Sequence, residues 1–266
     1  MGLKLYVDRL SQPSRAVLIF CKANGIDFEE IKVEIFKRQH LSPEFEGTVM
    51  IAVIPTTLEI KSLGEAINPL QKLPAIVDGN FKLFESHSIL IYIASAFPGV
   101  ANHWYPADLT KRAKIHSVLD WHHLNLRHGA VIYLRNILAP ILGLPLNQEA
   151  AAEGEKILIS SLSIIENIWL QGNGLYLLGS FQPSIADLSL VCEIMQLEIL
   201  DEKDRDRILS PHKKVLQWIE NTRNATKPHF DEVHNLLYKL KKNLSAQYQA
   251  NGMMELKIKT PLTSKL

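Results

Sequence analysis

Ser11-Gln12-Pro13-Ser14 sits where an alternating apolar run gives way to a helical pattern, in "LKLYVDRLSQPSRAVLIF". A hydroxyl at such a strand-to-helix junction can donate to an anion, and the first-turn amides of the following helix add partial positive charge. The local sequence equally allows Ser11 or Ser14 to be a plain helix cap. Leu73-Pro74 stands just before another short strand, where a cis proline exposes backbone groups for pairing with a peptide-like ligand. His116, His122, His123 and His128 crowd "HSVLDWHHLNLRHG". They show no H-E-x-x-H or other ligand spacing, so no metal site is expected. Cys21 and Cys192 lie far apart in no C-x-x-C arrangement. They point to a reducing compartment without a disulfide framework, and both read as buried helix residues rather than reactive thiols.

Elements must hold these groups in place. Leu3, Leu5 and Val7 alternate with Lys4, Tyr6 and Asp8, the period of a strand with one face on a core. Ala16, Ile19, Phe20 and Ala23 then follow helical spacing until Asn24-Gly25. Ile31, Val33 and Ile35 alternate again, and two strands joined through a helix are normally parallel. "LPAIVDGNFKLF" predicts a hairpin around Asp78-Gly79. Ser86 opens a helix with Ile89, Leu90, Ile93 and Ala94, which Phe97-Pro98-Gly99 stops. From Asp108 onward the pattern is helical, with spans at about 109–139, 148–171, 185–200, 211–223 and 229–244. Ser184 and Asp187 fit a capping box before the almost wholly apolar "LSLVCEIMQLEIL". "DEKDRDR" at 201–207 reads as a solvated connection.

The order predicts a two-domain α+β/α chain. A thioredoxin-like βαβ-ββα domain occupies 1–97, a linker 98–107, an all-helical domain 108–244 and a tail 245–266. Redox members of that fold carry cysteine at the start of the first helix. Ser11 to Ser14 stand there instead, so a redox-disulfide reading fails.

The 266 residues are 47% hydrophobic and 21% charged, with net charge +1. Such a chain can bury a real core, and its totals point away from nucleic acid and from a polybasic membrane surface. Met1 to Leu10 has no signal-peptide core, and no apolar run is long enough to span a bilayer. The sequence ends in Ser264-Lys265-Leu266, the tripeptide read by a peroxisomal import receptor. Peroxisomal location is therefore expected, with the cytosol as the alternative.

The segments "DRLSQPSRAVLIF", "RQHLSPEF", "INPLQKLPAIVDG", "LFESHSILIYI", "HSVLDWHHLNLR" and "QPSIADLSLVCEIMQL" together resemble cytosolic glutathione transferases of the theta class, in the plant type. The likeness covers about 1–45 and 67–244. It implies a homodimer with glutathione as cosubstrate and no cofactor. Its implied activities are conjugation to apolar electrophiles and reduction of organic hydroperoxides, in detoxification. It also implies that Ser11 holds the glutathione sulfur as the nucleophilic thiolate, while Ser14 keeps the cap reading. Gln12 is its neighbour in the site. His40 and Leu41 follow the second strand, with His40 at the glycyl carboxylate. Lys72 serves the same end, and the Leu73 backbone, ahead of Pro74, pairs with the cysteinyl unit. Ser86 takes the γ-glutamyl carboxylate while Glu85 answers its ammonium; simple capping is the alternative for that pair. Arg127 resembles a residue lining the active cleft, against the plainer reading of an exposed arginine on a helix face.

Between Phe45 and Ile67 the chain carries "EGTVMIAVIPTTLEIKSLGEA", where relatives have only a couple of residues. That exceeds ordinary loop length and falls between His40 and Lys72. It reads as a non-standard splice form or a misread exon boundary, with a functional lid as the alternative. A carrier of apolar ligands and a dimerisation scaffold are the competing functions, since fold does not imply function. Ser11, Lys72, Pro74, Glu85 and Ser86 together speak against a scaffold, which needs none of them.

Overall fold

A computed structural model describes residues 2–33, 67–70 and 72–250. Its amino-terminal part runs β1 (Leu3–Val7), α1 (Gln12–Ala23), β2 (Phe28–Lys32), β3 (Ala75–Asp78), β4 (Phe81–Phe84) and α2 (Ser86–Ala96). This is the expected βαβ-ββα order. The sheet order is β2-β1-β3-β4, with β1 and β2 parallel and β3 antiparallel to both of its neighbours. A parallel pair needs a crossover, which α1 supplies. Leu3, Leu5 and Val7 are buried and meet the apolar face of α1, where Ala16 to Cys21 are all buried. The hairpin turns on Gly79-Asn80, where Gly79 takes φ +59°, a conformation that side chains resist. The Tyr92 hydroxyl of α2 donates to Asp78 at 2.8 Å and fastens the hairpin to that helix.

The strand register gathers the loops of interest. Tyr6 lies opposite Ala75, and Ala75 lies opposite Phe84. The chain leaving β1 toward Ser11, the chain entering β3 from Lys72, and the chain leaving β4 into Glu85 are therefore at one end of the sheet. Val7 lies opposite Lys32, so β2 ends there too. Ile35, expected to continue that strand's alternation, lies outside the described residues.

The second part is helical. It comprises α3 (Leu109–His122), a π-helical turn His123–Arg127, α4 (His128–Ile137), α5 (Gln148–Ile164), a second π-helical turn Ile165–Trp169, and α6 (Ile185–Ile194). A 3-10 turn Met195–Ile199 leads to α7 (Glu202–Leu209), α8 (Lys213–Ala225) and α9 (His229–Ala250). Every residue of α6 is buried. Its capping box is present, and the buried Asp187 carboxylate accepts from the Ser184 amide and hydroxyl, each at 2.7 Å. The same carboxylate accepts from the Leu177 amide at 2.9 Å and the Trp218 indole at 2.7 Å. One side chain thus ties the start of α6 to α8. No helix among the described residues is long and apolar enough to cross a membrane.

Four expectations need correction. The 201–207 segment is helical, as α7, because Asp201 caps it by accepting from the Lys203 and Asp204 amides. Its charges are then paired: Arg205 with Glu198 of the preceding turn at 2.6 Å, and Arg207 with Glu155 of α5 and with Asp204 one turn back. The expected 109–139 helix is interrupted by the first π-helical turn. The last helix continues past 244 to Ala250. Ser14 does not cap α1: it sits inside the first turn, fully buried, and its hydroxyl has no partner among the described residues. Ser11 is the capping residue by position.

The two parts meet along α1. Arg15, wholly buried, donates to the carbonyls of Arg9 at 3.2 Å and Leu10 at 2.9 Å, and reaches the Cys192 carbonyl at 3.1 Å and Gln196 Oε1 at 2.7 Å. Phe20 meets Trp104 edge to face at 5.4 Å, and the Trp104 carbonyl accepts from the Ile185 amide. At the rim, Glu232 of α9 pairs with Lys22 at 3.0 Å and with Arg9 at 3.6 Å.

Helices α4 and α5 cross closely because both carry glycine at the contact. A Cβ on Gly129 would lie 2.6 Å from the Leu158 amide nitrogen, and one on Gly154 would lie 2.5 Å from that of Tyr133. Both obstacles are backbone. Gly154→Ala is expected to destabilise the fold by about 1–3 kcal/mol through overpacking. Urea unfolding reads this directly, and a wild-type midpoint would contradict the account.

Candidate functional site

The Asp8–Ser11 turn is fixed from several sides. Asp8 Oδ1 accepts from the Leu10 amide at 2.8 Å, and the Asp8 carbonyl accepts from the Ser11 amide at 3.0 Å. Arg15 holds the two carbonyls between them. Ser11 is half-buried, and its side chain makes no capping bond. Its hydroxyl therefore stands at the positive end of α1 with no partner among the described residues, available to an anionic atom. Gln12, the first residue of α1, is buried, and its amide is likewise unclaimed among those residues.

The second loop is braced by Asn68, which sequence reasoning missed. Its buried amide donates to the Lys72 carbonyl at 2.8 Å, and its Oδ1 accepts from the Leu70 amide at 2.9 Å. Lys72 is exposed, Leu73 half-buried and Pro74 buried. The Leu73-Pro74 bond is cis, as expected. The preceding asparagine was the only local signal, since Asn side chains commonly organise the backbone two residues on.

At the third loop Glu85 adopts φ +70°, in the left-handed region that a non-glycine residue avoids at a cost of order 1–3 kcal/mol. Such strain clusters at functional sites. Glu85 is exposed and Ser86 buried. Glu85 stands at the cap position without a side-chain cap bond, so simple capping does not describe the pair. The first-turn amides of α2 and the Ser86 hydroxyl can together take a carboxylate.

Immediately after Ser86, His87 meets the helical half. Its ring lies 4.5 Å from that of His123 and 5.3 Å from that of His122, with Nε2 at 3.2 Å from His122 Nδ1. His122 Nε2 is 3.5 Å from the Glu193 carboxylate, which is buried on α6 and accepts from Arg127 Nη1 at 2.7 Å. Arg127 is thus neither a free surface arginine nor alone. Burial pushes the Glu193 carboxyl up, but Arg127 and His122 outweigh it and hold it at about 2. Burial, followed by His122, His123 and Arg127, pulls His87 down to about 2. No cluster of three or more His, Cys, Asp or Glu among the described residues is arranged for a metal ion. Burial raises both cysteine thiols, Cys192 to about 12, so neither supplies a thiolate.

The register therefore brings Ser11, Gln12, Lys72, Leu73, Pro74, Glu85 and Ser86 to one sheet end, with Arg127 tied to the adjoining wall. Ser184 and Asp187 serve the scaffold of α6. His40, Leu41, the 46–66 segment and Ser264-Lys265-Leu266 lie outside the described residues. Sequence reasoning passed over Arg15, His87 and Glu193, whose partners are remote in the chain.

The glutathione S-transferase N-terminal domain family matches residues 65–95. Glutathione S-transferase T1 of Arabidopsis thaliana is 63% identical over 242 residues, covering 91% of each chain. The T2 protein of the same plant is 61% identical over 93% of this chain, which spans only 39% of that longer relative. Human glutathione transferase theta-2, solved in complex with glutathione, superposes with a TM-score of 0.74 at 30% identity, covering 95% of this chain and 98% of that one.

The histidine seam carries a pH signature. An unfolded chain protonates His87 near its ordinary 6.5, whereas the folded chain refuses that proton until about 2. Between those values the unfolded state binds more protons, so stability is lost as pH falls from 6.5. His87→Asn is expected to make the urea midpoint fall less steeply between pH 6.5 and 4.5. An unchanged slope would place His87 in an ordinary solvated setting.

Proposed function

The chain belongs to the theta class of the glutathione S-transferases, and on that premise we propose that Ser11 activates glutathione for two reactions. The observation carrying this reading is the Ser11 hydroxyl, unclaimed among the described residues, at the amino end of α1 and at the sheet end shared with the cis Leu73-Pro74 bond and the Glu85-Ser86 turn. Ser11 donates to the sulfur and, with the helix end, favours its thiolate. The Leu73 backbone pairs with the cysteinyl unit, Lys72 and His40 beside Leu41 meet the glycyl end, and Ser86 and Glu85 take the γ-glutamyl carboxylate and ammonium. Gln12 and Arg127 complete the wall.

In conjugation the thiolate attacks an apolar electrophile, a carbon–sulfur bond forms, and the leaving group departs with the bonding pair. With an organic hydroperoxide the thiolate attacks the terminal oxygen and the O–O bond breaks. The alkoxide takes a proton to become the alcohol, and a second glutathione converts the sulfenic acid to the disulfide with release of water. Holding the reactants together supplies much of the rate, and Ser11 supplies the reactive charge state. The protein works as a homodimer in detoxification. The Ser264-Lys265-Leu266 tripeptide supports a peroxisomal location, where peroxides arise, and that context favours the second reaction.

Ser11→Ala is expected to lower turnover of cumene hydroperoxide with glutathione by about 10²-fold, in line with removing one charge-stabilising donor. Binding of an apolar dye should persist. Unchanged turnover removes Ser11 from the chemistry, and a wild-type chain that binds dye but turns nothing over favours the carrier. For location, a fluorescent protein fused ahead of the chain is expected in peroxisomes and to become cytosolic when the last three residues are removed. Identical distributions would refute that assignment.

A further inference from the structure

A guanidinium has N–H groups on three nitrogens, and two of those nitrogens in Arg15 are fully engaged. Nη1 donates to the Arg9 and Leu10 carbonyls, and Nη2 to the Cys192 carbonyl and Gln196 Oε1. The remaining N–H, on Nε, is buried without a partner among the described residues. So is Gln196 Nε2, and so is Nε2 of His234 on α9. All three side chains are 0% exposed. Buried polar atoms in native structures find a partner in protein or in ordered water.

The three belong to one place. Gln196 is anchored on Arg15 at 2.7 Å, so its amide nitrogen stands beside the guanidinium. Its 3-10 turn packs against α9, and α9 packs against α1. Arg15 bears electrostatically on His234 and, one turn further along α9, on Tyr238. Neighbours also fix what each atom can do. Gln196 Oε1 accepts from Arg15, which leaves Nε2 as the donating end. His234 Nδ1 lies 2.8 Å from the Phe230 carbonyl, which can only accept, so Nδ1 carries the proton. Burial and the Arg15 charge hold this imidazole well below its ordinary range, so the ring is neutral and Nε2 presents a lone pair. Two donors and one acceptor are thus left over together, none bonded to another. Water accepts from two groups and donates to a third, and about three hydrogen bonds is the usual complement of a buried one.

We propose that one ordered water joins Arg15 Nε, Gln196 Nε2 and His234 Nε2, and that His234 is thereby a positioning residue for the turn that presents Ser11. The path is short, because the same guanidinium holds the Arg9 and Leu10 carbonyls directly ahead of Ser11. The acceptor on α9 completes the bonds of the water, and the water fixes the part of Arg15 that protein atoms leave free. The effect on a bound thiolate rests on the glutathione reading of the site, whereas the effect on the turn does not.

A crystal structure of the full-length protein is expected to show a water within about 3 Å of all three atoms. Density that is absent, or that touches only one of them, would overturn the proposal. His234→Asn keeps a donor near the place of Nδ1 but ends short of Nε2, which His234→Gln reaches. In hydrogen exchange, His234→Asn is expected to speed the Leu10 and Ser11 amides, both bonded to Asp8, by about tenfold. The β3–β4 hairpin should not change, and His234→Gln should exchange like the wild type. No acceleration, or equal acceleration of the hairpin, would sink the positioning role. Should His234→Asn not fold, His234→Met fills the space with only a weak acceptor and is read in the same way. With glutathione bound, thiolate absorbance is expected to titrate about one pH unit higher in His234→Asn, a tenfold loss of thiolate. Adding His234→Asn to Ser11→Ala should shift it no further, and equal shifts in both backgrounds would break the link to Ser11. A wild type that holds the water and shows the stated exchange pattern but binds no glutathione overturns the glutathione reading alone.

Discussion

A buried guanidinium constrains more of this molecule than any other group. Arg15 carries its charge where water does not reach, and burial works against that charge. Arginine nonetheless stays protonated, so its four acceptors have to be where they are. Two are the carbonyls of Arg9 and Leu10, just ahead of Ser11. Two belong to the segment that begins with α6, the Cys192 carbonyl and the Gln196 amide. The turn presenting the hydroxyl is therefore shaped from inside by the helical half. The thioredoxin-like half carries Ser11 and the two loops beside it but lacks half of what sets their geometry.

A second seam repeats this logic nearer the ligand end. His87 follows the strained Glu85 and the buried Ser86, and it packs on His122 and His123 from the other half. Burial, with the two neighbouring imidazoles and Arg127, keeps the His87 ring from taking a proton. The charge of Arg127 is answered by the buried Glu193 carboxylate. Both seams converge on α6, which explains why that helix is apolar nearly all round and yet carries Glu193. Its buried start is secured by Asp187, itself satisfied by four donors.

Period and punctuation made much of the fold legible. The alternation of Leu3, Leu5 and Val7, the Asp78-Gly79 hairpin and the Ser184–Asp187 box are local signals, and each became the element it announced. Local signals also misled. In "DEKDRDR" the charge density suggested a solvated connection; Glu202, Lys203, Asp206 and Arg207 are indeed exposed, but the Asp201 cap makes the segment a helix. Ser14 has the residue type of a cap at a position one turn too far in. Arg15 and Glu193 were out of reach for another reason. Arg15 meets partners 177 and 181 residues away, and Glu193 meets one 66 residues away, separations at which spacing says nothing. The site's loops were recognisable by resemblance, but what steadies them was written elsewhere in the chain.

The π-helical turn at His123–Arg127 has a consequence for how this wall tolerates insertion and deletion. A π-turn is an α-helix holding one residue more than its ladder requires. The i→i+5 ladder takes up that residue locally, so α3 and α4 keep the phase of an unbroken helix. His122 and Arg127, five residues apart, therefore come round to one side and converge on Glu193, as residues four apart do in an α-helix. Removing one residue inside the turn would leave them four apart on the same face. Removing one from α4 instead would swing everything beyond it by about 100°, the angle between successive residues. The irregular turn is thus the one place on this rod where a residue can come or go without re-aiming its flanks.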